Sequence, residues 1–146
     1  MCKECNYYTI LTSSGLEPTE NRVRVLEIIG NSSYPLSAME VLSGIKKTHN
    51  INKVTVYRIL DLLVENSILE RLSTGGRAAH FGLAPNENHV RHPHFYCTRC
   101  GRMDCLKPES MTVNISPLEH SFSGAIDRVE IRVDGICKDC LEPVSS

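Results

Sequence analysis

Cys97-x2-Cys100 and Cys137-x2-Cys140 are two closely spaced thiol pairs, and His92, His94 and Cys105 gather around the first of them. A two-residue gap lets both sulfurs of a pair converge on one ion, and four thiolates complete the tetrahedron that zinc prefers. Gly101 follows the first pair and Gly135 stands just before the second, where such a knuckle must bend tightly. A four-sulfur set leaves no coordination position open, so it would stabilise rather than catalyse. Binding of this kind contributes roughly 10–16 kcal/mol in zinc-finger peptides. A single pair read alone would also suit a redox dithiol.

His92 and His94 flank Pro93, and the residue before a proline favours an extended backbone. Alternate residues of an extended strand project to one face, so the two imidazoles can share an ion. Cys105 lies on the expected return strand and can fold back toward them. His80, Glu70 and His89 are further candidate ligands from the preceding segments. Together these residues predict a second site for a divalent metal, beside the four-cysteine set rather than inside it. The two histidines also suit an ordinary solvated linker. Ligands drawn from both halves of the chain would hold the halves in one relative orientation.

The elements that must position these groups differ between the halves. Tyr7, Tyr8, Ile10 and Leu11 supply a short first helix, with Gly15 at its C-terminal cap. Thr19 caps a helix that turns Val23, Leu26 and Ile29 inward. Ser37 with Glu40 forms a capping-box pattern before Val41, Leu42 and Ile45. Val56, Ile59, Leu60, Leu63 and Val64 then fall on one stripe of a long amphipathic helix. The opposite face carries Thr55, Tyr57, Arg58 and Asp61 near the helix start. An exposed tyrosine beside an arginine there suits contact with phosphates and base edges, and the same face also suits plain solvation. Two apolar-rich runs around Gly75-Gly76 predict a β-hairpin. Three helices followed by a hairpin describe a winged helix-turn-helix, whose last helix enters the major groove.

The polar stretch 84–91 reads as a linker. The expected division is a winged-helix DNA-binding domain over 1–84, a linker over 85–91 and a zinc-binding dimerisation domain over 92–146. Within the last, a strand precedes the first knuckle and a return strand follows it. Ser116 is expected to cap a brief helical turn beginning at Pro117. Val129, Ile131 and Val133 alternate as a strand should, before Asp134-Gly135 turns the chain. The fold class is α/β in two domains.

Composition narrows the class. A chain of 146 residues can bury a real core. No apolar run is long enough for a membrane span or a secretory signal core, so a cytoplasmic protein is expected. Seven cysteines, an odd number, argue for metal ligation or thiol chemistry over a disulfide framework. The net charge of -1 gives no bulk electrostatic sign of nucleic-acid binding, so that reading rests on local placement of side chains.

The layout resembles the ferric uptake regulator family of metal-dependent transcription factors, from about Gly15 to Cys140. The resemblance is carried by "GLEPTENRVRVLEII", "TVYRILDLLVENSILERL", "HPHFYCTRCGR" and "GICKDC". It implies a homodimer with an N-terminal winged helix, a C-terminal α/β dimerisation domain and a four-cysteine structural zinc. It also implies DNA contact at Tyr57 and Arg58, and metal sensing at His92 and His94. The chain departs from the family pattern in telling places. Cys105 stands where many relatives have a carboxylate, and a soft thiolate favours zinc over iron(II) or manganese(II), which prefer oxygen-richer sites. Gly82 replaces an acid after the wing, with His80 as a nearby substitute. Pro35 stands near a position where relatives often carry a histidine ligand. Arg91 and Pro93 replace ligands of a further dimer-domain site. Cys2 and Cys5 are additions, read as idle in a terminal stretch.

These readings favour a repressor of metal-homeostasis genes that binds an inverted-repeat duplex when the second site is filled. The alternative is a peroxide- or redox-sensing regulator on the same scaffold, with Cys105 or an iron-bound histidine as the oxidised group. A zinc hydrolase built on His92, His94 and Cys105 would leave the winged helix unexplained, and the chain has no HExxH pattern, so no enzyme is expected.

Overall fold

Asn6, Thr19, Ser37 and Asn52 each turn a side-chain oxygen onto a backbone N–H in the first turn of the helix that follows. Those caps satisfy otherwise orphaned donors and fix where each helix begins. The structure, a computed structural model, describes residues 6–75, 78–85 and 90–142. Cys2, Cys5, Gly76 and His89 lie outside the described residues. The chain divides into two units, Met1–Val90 and Arg91–Ser146.

In the first unit the order is α1 (Tyr7–Ser13), α2 (Glu20–Asn31), β1 (Leu36–Ser37), α3 (Ala38–Lys46), α4 (Lys53–Glu65), β2 (Leu69–Leu72) and β3 (His80–Leu83). Gly15, at φ +78°, ends α1 in a left-handed turn, and the Leu16 N–H reaches back to the Leu11 carbonyl at 2.9 Å. Ser37 and Glu40 form the expected capping box on α3. Helix α4 buries Val56, Ile59, Leu60 and Leu63 against Val23, Leu26 and Ile29 of α2 and Val41, Leu42 and Ile45 of α3, in one core. Val64, expected on that stripe, is only half-buried. β2 and β3 form the hairpin, and β1 pairs on the far side of β3, giving the antiparallel order β1-β3-β2. Arg71 on β2 bonds Asp61 on α4 at 2.8 Å and lies over the Phe81 ring, tying the wing to the third helix of the core. This is a winged helix.

The second unit runs β4 (His94–Cys97), β5 (Met103–Cys105), a short 3-10 turn, α5 (Ser116–Ser121), β6 (Arg132–Gly135) and α6 (Lys138–Leu141). β4 is the middle strand, antiparallel to β5 and parallel to β6. The alternation Val129-Ile131-Val133 predicts a longer strand than the one formed. Pairing starts where the His94 N–H bonds the Ile131 carbonyl at 3.1 Å; the Val129 carbonyl, two residues earlier, is taken by the Arg91 guanidinium at 2.9 Å instead of by a backbone N–H of the neighbouring strand. α5 starts at Ser116 itself, whose N–H is taken by the Asn114 side chain at 3.1 Å. Among the described residues of this unit, Met103 is the one large apolar side chain that is fully buried, beside Cys97 and Cys137.

Candidate metal centres and DNA-reading face

Cys97 sits at the end of β4, Cys100 in the turn that follows, and Cys137 and Cys140 at the start and inside of α6. The turn is closed by the Gly101 N–H on the Cys97 carbonyl at 2.9 Å, with Gly101 at φ +79°, a conformation that favours glycine. Parallel pairing of β4 with β6 brings the second pair alongside, and the Thr98 N–H bonds the Gly135 carbonyl at 2.8 Å. The four sulfurs all lie within 4.8 Å of one another. Cys100 Sγ and Cys137 Sγ are 3.8 Å apart, the edge of a tetrahedron with zinc–sulfur bonds of about 2.3 Å.

Cys97, fully buried, is the natural thiolate of the set. The backbone N–H groups of Cys100 and Cys137 each donate to its Sγ at 3.4 Å. These bonds, that of Cys100 foremost, pull its pKa down to about 6. Cys140, hydrogen-bonded to Cys137 and then to the other sulfurs, is pushed up to about 12. One sulfur is thus readied as an anion by the backbone, while the raised Cys100 and Cys140 hold their protons until a cation draws them off. The donor set fits a structural zinc.

A second group forms separately. His92, His94 and Cys105 each offer a ligand atom within 4.8 Å of the others. His94 is opposite Cys105 in the β4–β5 register, so their side chains share one face of the sheet. The rings of His92 and His94 are 4.6 Å apart and tilted by 52°, the same-face arrangement expected across Pro93. His94 is 5% exposed, and burial first, then the neighbouring His92, holds its pKa down to about 4. It is therefore a neutral imidazole, the form that ligates metal, at any physiological pH. Cys105 lies at the exposed edge of the group.

His80 and Glu70 belong to the first unit and are not members of that group of three. His80 is buried on β3, paired in register with Ser37 and with its Nε2 3.9 Å from a Glu40 carboxylate oxygen. Burial chiefly lowers its pKa, with Glu40 acting in the opposite sense. Glu70 lies on β2 opposite Gly82.

Arg58 is exposed on α4, as expected, and Thr55 is half-buried behind the Asn52 cap. Tyr57 corrects the expectation of an exposed ring. It is half-buried against the core, its hydroxyl donates to Met39 Sδ at 3.7 Å, and Lys53 Nζ stands 5.4 Å from its ring centroid. The ring is drawn in because α3 supplies Met39 next to it, a neighbour that the spacing within α4 does not reveal. Lys53 and Val54 are both exposed in the first turn of α4; Lys53 adds a cation to the polar face and Val54 an apolar contact, and neither was singled out by its sequence pattern. Position in the first turn, just after the Asn52 cap, was the available signal.

A winged helix joined to a small sheet unit that carries two separate donor groups defines a metal-responsive transcriptional regulator. Comparison with known proteins agrees. The model of the ferric uptake regulator family matches residues 13–129. The ferric uptake regulation protein of Bacillus subtilis is 29% identical over 134 residues, spanning 89% of each chain. The fold is that of the Vibrio cholerae ferric uptake regulator, with TM-score 0.74 at 21% identity over 90% of this chain and 100% of that one. It is also that of a zinc uptake regulator solved with zinc and DNA, with TM-score 0.61 at 21% identity over 91% and 89%. The chain belongs to the ferric uptake regulator family. Its members are DNA-binding transcriptional regulators that act as dimers, not enzymes. No described helix is long and apolar enough to cross a membrane.

Proposed function

We propose that this protein is a metal-dependent repressor of metal-homeostasis genes, whose dimer binds an inverted-repeat duplex when a divalent ion occupies the His92–His94–Cys105 group. The reading rests on one observation: a second donor group stands apart from the four cysteines, at the very start of the second unit. His92 follows the Val90–Arg91 unit boundary by a single residue. When bound, the ion supplies a link between that entry point and the sheet residues His94 and Cys105. The direction in which the chain leaves the winged helix is then restricted, and with it the separation of the two reading helices of a dimer. Half-site spacing is a strict geometric requirement on DNA, so an ion that prefers one arrangement raises affinity by its differential binding. His80 and Glu70 are the candidates to complete that link from the winged-helix side.

Zinc is the favoured ion, ahead of iron(II) and manganese(II), because two imidazoles and a thiolate form a nitrogen- and sulfur-rich set. Cys97, Cys100, Cys137 and Cys140 hold a separate structural zinc. Arg58, Tyr57 and Thr55 meet the duplex, with Arg58 the most exposed of the three. The test is a titration of inverted-repeat DNA with protein whose second site has been emptied by a mild chelator, leaving the structural zinc in place. Specific binding should be lost and should return with added zinc. His94→Ala should keep the structural zinc and lose the metal response. Undiminished specific binding by the emptied protein overturns the proposal.

A further inference from the structure

Three donors leave a metal ion incompletely coordinated, and the strand on the other side of β4 carries an unassigned carboxylate. β6 pairs with β4 in parallel, with His94 opposite Arg132, and the ladder is closed by the His94 N–H on the Ile131 carbonyl at 3.1 Å. Partners in register project to the same face of a sheet, and so do residues two apart on an extended chain. His94, Cys105 and Arg132 therefore share a face, and Glu130, two residues before Arg132, approaches that face from the β6 side. Glu130 and Arg128 are both close enough to act electrostatically on His94, in opposite senses. The Glu130 side chain is about a quarter exposed and pairs with the Arg128 guanidinium at 3.6 Å.

We infer that Glu130 is the fourth ligand of the second metal site, and that Arg128 is the cation which holds this carboxylate until an ion displaces it. The inference rests on the reading of His92, His94 and Cys105 as metal ligands. It makes the site a two-imidazole, one-thiolate, one-carboxylate set that the second unit can assemble by itself. A rotamer change about the flexible Glu130 side chain is the movement by which its carboxylate would trade the guanidinium for a dication. The exchange also removes a positive charge from beside the ion. Two strands flanking a central one thus contribute one ligand each, Cys105 from β5 and Glu130 from the β6 side, while β4 and its entry contribute the histidines. His80 and Glu70 remain the candidates for a further contact from the winged-helix side.

Cobalt(II) substitution of the full-length protein tests this, with the structural zinc in place and a chromophoric chelator as competitor. Cys105→Ser should abolish the thiolate-to-cobalt charge-transfer band of the second site, which identifies the band. Glu130→Gln and Glu130→Ala should each weaken second-site binding at least tenfold, keep the charge-transfer band at saturation and alter the ligand-field bands. Arg128→Ala should tighten binding. Unchanged affinity and ligand-field bands in both Glu130 variants overturn the assignment of Glu130, while the site itself stands. Failure of the parent protein to show a Cys105-dependent band overturns the underlying reading of the site.

Discussion

Loss of the zinc proposed at the four cysteines should unfold the second unit and leave the winged helix folded. The apolar side chains of α2, α3 and α4 share a single core with Leu11, Leu36, Ile51, Leu69 and Phe81. The second unit has, among its described residues, Met103 as its one large and fully buried apolar side chain. Burying a methionine contributes about 1.5–3 kcal/mol, whereas a structural zinc contributes roughly 10–16 kcal/mol in comparable small domains. The ion outweighs the apolar core several-fold in one unit and is irrelevant to the other. Cys137→Ser removes one of the four thiolates, which all lie within 4.8 Å of one another. Hydrogen exchange read by mass spectrometry reports both units at once. In the variant, the amides of His94, Cys97 and Thr98, which bond Ile131, Arg102 and Gly135, should exchange at the rate of an open chain. Those of Val56 and Ile68 should stay protected. The dimer should be lost as well, by sedimentation or light scattering. Retained protection at Cys97 and Thr98, or joint loss of protection in both units, refutes the reasoning.

Other outcomes follow from the same geometry. Arg58→Ala should weaken DNA binding across sequences and reduce the slope of log affinity against log salt by about 1, with metal content unchanged by mass spectrometry. Leu63→Ala, at a fully buried position of α4, should cost about 2–5 kcal/mol in urea unfolding of the first unit. The lowered pKa of His94 has a pH signature. Its ordinary value is 6.5 and burial holds it near 4, so between those values the unfolded chain binds more protons than the folded one. Stability is full above 6.5 and declines as pH falls toward 4. From pH 7.5 to 5.5 the loss amounts to about 1 kcal/mol. Urea unfolding of zinc-clasped protein with an empty second site should show that decline, and His94→Gln should remove it.

Much of this protein was legible in the order of its residues. The caps at Thr19 and Ser37 and the stripe Val56-Ile59-Leu60-Leu63 are local patterns, and local sterics and hydrogen bonding decide them. The two thiol pairs are equally local, since a two-residue gap already brings each pair within reach of one ion. What the sequence leaves open depends on which strand lies beside which. The parallel pairing of β4 with β6 sets the second thiol pair against the first and brings Glu130 toward His94. The β4–β5 register puts Cys105 opposite His94 rather than one residue away, on the other face. The β6 ladder ends at Ile131, and the Val129 carbonyl goes to the Arg91 guanidinium, a partner that no alternation in 129–133 encodes. Tyr57 is drawn in by Met39 on another helix, and Arg71 reaches Asp61 across the fold. A residue's type and spacing determine what it can bind, but its partner is chosen by packing between segments distant in sequence, and that choice belongs to the tertiary structure.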